Sequence, residues 1–344
     1  MDAGTPKRHA MNVSRITINE VARLSGVSKK TVSRVINHSP LLSEATRSKV
    51  EAVIAETGYV PDPQARALAR GRNFSIALIH DGTSPAILAL IEQGIHEALE
   101  GGDYALVLRA LAGDPETRLA EFLERHRPAG VLLVPPLSGN PALAARCLAA
   151  DTPCVRLGVS APDDPACFAA DERAAMAETV DALVRAGHRR IGLIAGPEHS
   201  RESRQRELGY LDAMADHELD RGPALIANGD YSLDSGVAAG RLLLEVSPRP
   251  TAIIACNDVM AAGVIRAACA MGIAVPEDLS VIGFGDEPLA AQVTPPLTSV
   301  HVPWTQMARA AAERLVDPGA APLPPRYVPH LIARESASAI ETSQ

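Results

Sequence analysis

The chain has 344 residues, 47% hydrophobic and 22% charged, with a formal net charge of -8. That suits two or three domains with a sizeable core and excludes wholesale disorder. There is no run of about 18 apolar residues, Met1–Arg15 lacks the apolar region of a secretory signal, and Cys147, Cys154, Cys167, Cys256 and Cys269 are dispersed, so the expectation is a cytoplasmic protein without a membrane span, disulfide frame or metal site.

After a flexible tail over residues 1–15, three short helices are predicted in a headpiece at 16–60. Thr17 followed by Glu20 reads as a capping box opening Ile18–Ser25, with Val21, Ala22 and Leu24 as its apolar residues. Gly26 ends that helix in a tight turn. Ser28 then caps a second helix, Lys29 to Asn37, whose inward stripe is Val32, Val35 and Ile36. Ser43 caps a third, Glu44–Thr57, with Ala45, Val50, Val53 and Ile54 as its apolar face and Gly58 just past its end. Pro61 and Pro63 break the chain before Gln64–Arg70, a helical stretch too short to be stable alone. Residues 61–72 therefore read as a linker that folds when something holds it.

Charge separates this module from the rest. Residues 1–72 carry 12 Lys or Arg against 6 Asp or Glu, and residues 73–344 carry 21 against 35. Only the N-terminal module suits phosphate, because an acidic body is repelled by it. Two helices joined at Gly26, the second presenting Lys29, Lys30, Ser33 and Arg34, suit approach to a DNA major groove. A solvated amphipathic helix is the competing reading of the same charges.

From Phe74 the pattern changes. Strands are predicted at 75–79, 104–108, 130–134, 153–157, 191–195, 224–227, 252–255 and 280–284, with a last one near Arg326 to Ala333. Helices are predicted at about 86–101, 115–127, 141–150, 171–187, 203–216, 233–246, 259–271 and 305–315. Such alternation indicates an α/β fold of parallel sheets covered on both faces. The length suits two lobes, about 75–173 plus 302–330 and 174–301 plus the C-terminus, with a ligand cleft where strand ends face each other. Pro318–Pro325 reads as a turn, and the tail after Glu335 as frayed.

Residues Ile18 to Leu68 closely resemble the DNA-binding headpiece and hinge of the LacI/GalR family of bacterial transcription regulators. The matching pieces are Val21–Ser28, Thr31–Asn37, Thr46-Arg47, Val50, Gly58–Pro61 and Ala65–Leu68. The resemblance continues through Leu183–Gly196, Arg204, Gly209-Tyr210, Cys256–Gly263, Gly272-Ile273, Pro276–Phe284, Leu297–Val300 and Pro303-Trp304. It implies a helix-turn-helix headpiece on a two-lobed, periplasmic-binding-protein-like core at 73–344 that binds effector and dimerises. The implied protein is a homodimeric repressor at the nucleoid, bound to a pseudopalindromic double-stranded operator and released by a small molecule.

By the same resemblance, Lys29, Lys30 and Arg34 face base edges or phosphates, and Ser28, Thr31, Ser33 and Asn37 lie near phosphates. Thr17 either donates to phosphate or only caps its helix. Leu68 wedges into the minor groove, the plainer alternative being packing against its own domain, and Arg66, Arg70 and Arg72 follow the backbone or the narrow groove. Candidate effector residues are Asp81, Arg156, Asp171, Arg206, Tyr231, Asn257, Asp286 and Trp304. Arg206 has a fork for vicinal hydroxyls or a carboxylate, and Trp304 and Tyr231 suit the apolar face of a sugar. Each has a plainer alternative: Asn257 as a helix cap, Arg206 as a solvated helix residue, Trp304 as core. Arg156 either pairs with an acid such as Asp171 or points at the ligand.

Two departures from the family pattern matter. Gly285 stands where members commonly carry the first of two acids, and His80–Pro85 lacks the usual aromatics. Both argue against a stacked purine and for a sugar or sugar derivative. The alternatives are a nucleoside or other metabolite acting as corepressor, or a transcriptional activator. No metal-spaced cluster, nucleophile elbow or phosphate loop appears, so neither an enzyme nor a cofactor is expected.

Overall fold

The computed structural model describes residues 16–36, 41–59, 73–159, 161, 164–319 and 327–338. The predicted tail at 1–15, Asn37, the linker with Arg66, Leu68 and Arg72, and most of the Pro-rich turn lie outside the described residues. The chain divides into two compact units, one ending at Asn73 and one beginning at Phe74.

The first unit contains α1 (Ile18–Ser25), α2 (Lys29–Ile36) and α3 (Glu44–Thr57). Each helix starts where a hydroxyl accepts a backbone N–H that the first turn leaves free. Thr17 accepts from Glu20 N at 3.4 Å, Ser28 from Thr31 N at 3.1 Å and Ser43 from Thr46 N at 3.4 Å. Gly26, at φ +64°, closes α1 by donating to the Ala22 and Arg23 carbonyls. The capping box is only half formed, because the Glu20 carboxylate turns forward to Arg23 at 2.6 Å. Val21, Val32 and Val50 are fully buried, with Val35, Ile36, Val53, Ile54 and Tyr59 packed about them. Ala45 is exposed, contrary to its expected place on the apolar face of α3. It lies five residues before Val50, about 140° round the helix. Leu24 is likewise 47% exposed.

The second unit is the expected two-lobed α/β core. Its first lobe runs β1 (Ser75–His80), α4 (Pro85–Leu99), β2 (Ala105–Ala110), α5 (Pro115–His126), β3 (Gly130–Leu133), α6 (Pro141–Ala149), β4 (Cys154–Leu157) and β5 (Cys167–Phe168). The sheet is parallel in the order β2-β1-β3-β4-β5. The continuous apolar run of β1 serves both faces. Ile76 and Leu78 enter one cluster, while Ala77 and Ile79 join Leu119, Phe122 and Leu143 in another.

The second lobe runs α7 (Glu172–Arg185), β6 (Ile191–Ala195), α8 (Arg201–Asp216), β7 (Ile226–Asn228), α9 (Leu233–Leu244), β8 (Ala252–Ala255), α10 (Asp258–Ala270), β9 (Ser280–Gly285), α11 (Pro288–Gln292) and β10 (Thr298–His301). The chain then returns to the first lobe as α12 (Trp304–Val316) and ends with β11 (His330–Ile332), antiparallel to β10. The sheet order is β11-β10-β9-β8-β6-β7. Thr305 on α12 donates to the Leu90 carbonyl at 3.1 Å. A methyl group on Gly94 would stand 2.1 Å from the Thr305 carbonyl oxygen, so the α4–α12 crossing needs glycine there. Among the described residues the chain passes between the lobes from β5 to α7 and from β10 to α12, and Tyr327, ahead of β11, pairs with Ala170.

Three elements depart from the sequence reading: β5, α11 and β10 were not foreseen. Residues of β10 are polar yet buried, because Arg334 N donates to Thr298 at 2.9 Å and Ser299 donates to Asp258. At the sheet edge β2 is not covered on both faces, with Val107 38% and Leu108 43% exposed. Nor is the chain frayed directly after Glu335. Ser336 donates to the Val281 carbonyl at 2.6 Å and accepts from Thr298 N at 2.8 Å, and Ser338 reaches Ser280 at 2.9 Å.

Candidate functional site

In the headpiece, burial of Val32 and Val35 turns the opposite face of α2 outward. Lys29, Lys30 and Arg34 are exposed, and α2 holds no acid. Ser28 and Thr31 are hydrogen-bonded to each other at 2.9 Å, and Ser33 is half-buried. Thr17 is committed to its cap. The Gly26 turn also sits close to Lys49 Nζ, a cation of α3 that the sequence reading passed over. The result is a cationic helix face braced by two neighbours, the arrangement that a groove-entering helix requires.

In the core, loops at the carboxyl ends of the two sheets meet. Ser84, after β1, donates to Glu287 Oε2, after β9, at 2.9 Å. A methyl group on Gly158, after β4, would stand 3.2 Å from Glu202 Oε1 in the first turn of α8. At the centre is Arg206, only 7% exposed. Its Nε and Nη2 donate to the two oxygens of Glu172 at 2.9 and 3.2 Å, and its Nη1 donates to the Cys256 carbonyl. The guanidinium carbon lies 4.1 Å from the centre of the Phe284 ring. Burial pulls this guanidinium pKa down, but Glu172, Tyr231 and Cys256 outweigh that and hold it above its ordinary value. Arg206 is thus neither solvated nor an empty fork. Three of its five N–H groups have protein acceptors.

Carboxylates surround it. Burial pushes Glu202 above the usual range, and the nearby Glu172 charge adds to this. Glu287, 5% exposed, is also raised by burial, with Ser84 and Arg206 pulling back. Asp258 is fully buried and accepts from Ser299 Oγ at 2.5 Å and Glu287 N at 2.7 Å, yet burial still raises its pKa to about 6. From an ordinary 3.8, the folded protein holds this proton more tightly than the unfolded chain. Its ionisation opposes folding, so the stability it contributes is complete below about pH 4 and falls as pH rises to about 6, by about 3 kcal/mol. Urea unfolding should show the advantage of wild type over Asp258→Asn shrinking by that amount between about pH 4 and 7. A difference that does not change with pH would refute the assignment.

The remaining predicted residues divide. Tyr231, at φ +71°, lies against Gly196, and its hydroxyl meets Ser200 Oγ at 3.1 Å. Asn257 caps α10 through Met260 N at 2.9 Å and donates to the Tyr231 carbonyl at 3.0 Å, holding that left-handed conformation. Trp304 opens α12 and is 4% exposed, within the core cluster. Asp81 is exposed beside the β1 end. Asp171 caps α7 through Ala174 N at 3.0 Å. Arg156 pairs with Asp164 at 3.1 Å and reaches Cys167 Sγ at 3.0 Å. Asp286 is held by Arg334 at 2.6 Å and His301 at 3.0 Å. The structure therefore brings Arg206, Tyr231 and Asn257 together and spends Asp171, Arg156 and Asp286 on protein partners. It adds Ser84, Glu172, Ser200, Glu202, Asp258 and Glu287. Glu202 and Arg206 have the i, i+4 spacing of one helix face, a signal available in the sequence. Among the described residues no group of three His, Cys, Asp or Glu is placed to hold a metal, and no helix is long and apolar enough to cross a membrane.

Comparison with known proteins agrees with both halves. Residues 17–62 match the model for bacterial regulatory proteins of the lacI family, and residues 180–337 match a periplasmic binding protein-like domain. The chain is 35% identical over 335 residues to the HTH-type transcriptional regulator CelR of Thermobifida fusca, covering 94% of this chain and 98% of that protein. Among solved structures, a transcriptional regulator CelR–cellobiose complex is 34% identical, with a TM-score of 0.70 over 94% of this chain and all of that one. A lac repressor dimer bound to operator and the anti-inducer ONPF is 28% identical, with a TM-score of 0.78 over 95% of this chain and all of that one.

Proposed function

Because the chain belongs to the LacI/GalR family of bacterial transcription regulators, we propose that it is a homodimeric repressor that binds a pseudopalindromic operator and is released by a sugar or sugar derivative. It is a DNA-binding regulator and not an enzyme. The observation that carries the reading is the presence in one chain of a cationic, capped α2 and a cleft between two sheets whose polar groups converge on Arg206. In this proposal two copies present α2 to successive major grooves, and the linkers at 61–72, with Leu68 as wedge and Arg66 and Arg72 on the backbone, bend the site between them. Effector binding shifts the core between two states and alters the spacing of the linkers. It moves that equilibrium only by its difference in affinity for the two.

The test is fluorescence anisotropy on operator and random duplexes, with and without saccharide. Arg34→Ala should lower the preference for operator over random DNA by about 1–3 kcal/mol, roughly five- to 150-fold, if Arg34 reads a base. An unchanged ratio with uniformly weaker binding would reduce Arg34 to a phosphate contact.

A further inference from the structure

We propose that Glu202 and Glu287 are the effector's hydrogen-bond acceptors across the cleft, and that the effector is an uncharged saccharide rather than a sugar phosphate or uronate. This rests on the cleft being the effector site and names the ligand class it takes. Glu287 is 5% exposed, and Ser84 of the other lobe engages its Oε2. Its Oε1 receives no donor from any described residue. Glu202 is built alike. Ser200 donates to its Oε2 at 3.1 Å, while its Oε1 faces Gly158 of the other lobe and takes no donor from another described residue.

Each carboxylate therefore has one oxygen, at the seam between lobes, that no other described residue engages and that can accept from a ligand hydroxyl. The Arg206 guanidinium is already neutralised by Glu172, and that of Arg156 by Asp164. A phosphate or carboxylate group offers acceptors only and meets acceptors of its own charge. A saccharide hydroxyl donates to a carboxylate.

Isothermal titration of the full-length chain decides this, with cellobiose, D-galactose and D-ribose set against glucose 6-phosphate and D-galacturonate. At least one uncharged sugar should bind, and bind at least about ten-fold more tightly than either anion. Glu202→Gln and Glu287→Gln, each checked by its melting curve, should weaken that sugar about ten-fold and narrow the gap to the anions. The inference is overturned if no uncharged sugar binds, if an anion binds more tightly than all of them, or if both variants keep wild-type affinity. Parallel operator titrations separate the two readings. An anionic sugar that releases operator sinks the ligand class and keeps the regulator. A sugar that binds without changing operator affinity does the reverse.

Discussion

Arg206→Leu should lower the melting temperature of the core by roughly 6–20 °C, well before any loss of ligand affinity is considered. Three groups depend on this guanidinium: both oxygens of Glu172 and the Cys256 carbonyl. Glu172 is 7% exposed, and its removal from water is compensated by Arg206. Deleting one partner of such a pair leaves an uncompensated buried charge, typically about 3–5 kcal/mol. In a domain of this size each kcal/mol moves the midpoint by about 2–4 °C. Adding Glu172→Leu to Arg206→Leu should recover most of the loss, because well-packed apolar side chains often replace a buried pair without cost. A single variant that melts like wild type would show that the pair contributes nothing, and a double variant no better than the single would place the loss on the Cys256 carbonyl. A blunted effector response in Arg206 variants is therefore interpretable only beside the melting curve.

The architecture was readable because its signals are periodic and local. The runs at 191–195 and 252–255 match their strands to the residue, since four or five consecutive apolar residues between turns have few other uses in a covered parallel sheet. Caps at Thr17, Ser28 and Ser43 are written within three residues of the N–H they satisfy. Elements whose polarity is satisfied from far along the chain were not readable. Thr298 and Ser299 look like loop residues until Ser336, Arg334 and Asp258 are seen to engage them, and Arg334 and Ser336 lie more than thirty residues on. The cleft follows the same rule. Asp286 appeared the natural acid after Gly285, but its φ of +54° sends it to Arg334 and His301, and Glu287 turns toward Ser84 instead. Which of two adjacent acids turns toward Ser84 of the other lobe is set by the local backbone, and no spacing rule encodes it.

Val32→Asp should abolish operator recognition while leaving the core intact. The headpiece core consists of Val21, Val32 and Val50 at 0% exposure and Val35 at 2%, with partly covered side chains around them. A unit this small has roughly 2–7 kcal/mol of stability in hand at about 0.05–0.15 kcal/mol per residue. A carboxylate buried there without a partner costs several kcal/mol, so the three helices separate. The charge excess of residues 1–72 survives unfolding, however, and still attracts phosphate. The variant should therefore bind operator and random duplex equally, at least about 100-fold more weakly than wild type binds operator, with weak binding that disappears as salt is raised. Saccharide titration and the melting transition of the core should match wild type. Preference for operator surviving in the variant would mean that sequence is read outside the packed headpiece. Equal and salt-sensitive binding would instead assign attraction to the charge count and recognition to the fold that orients Lys29, Lys30 and Arg34.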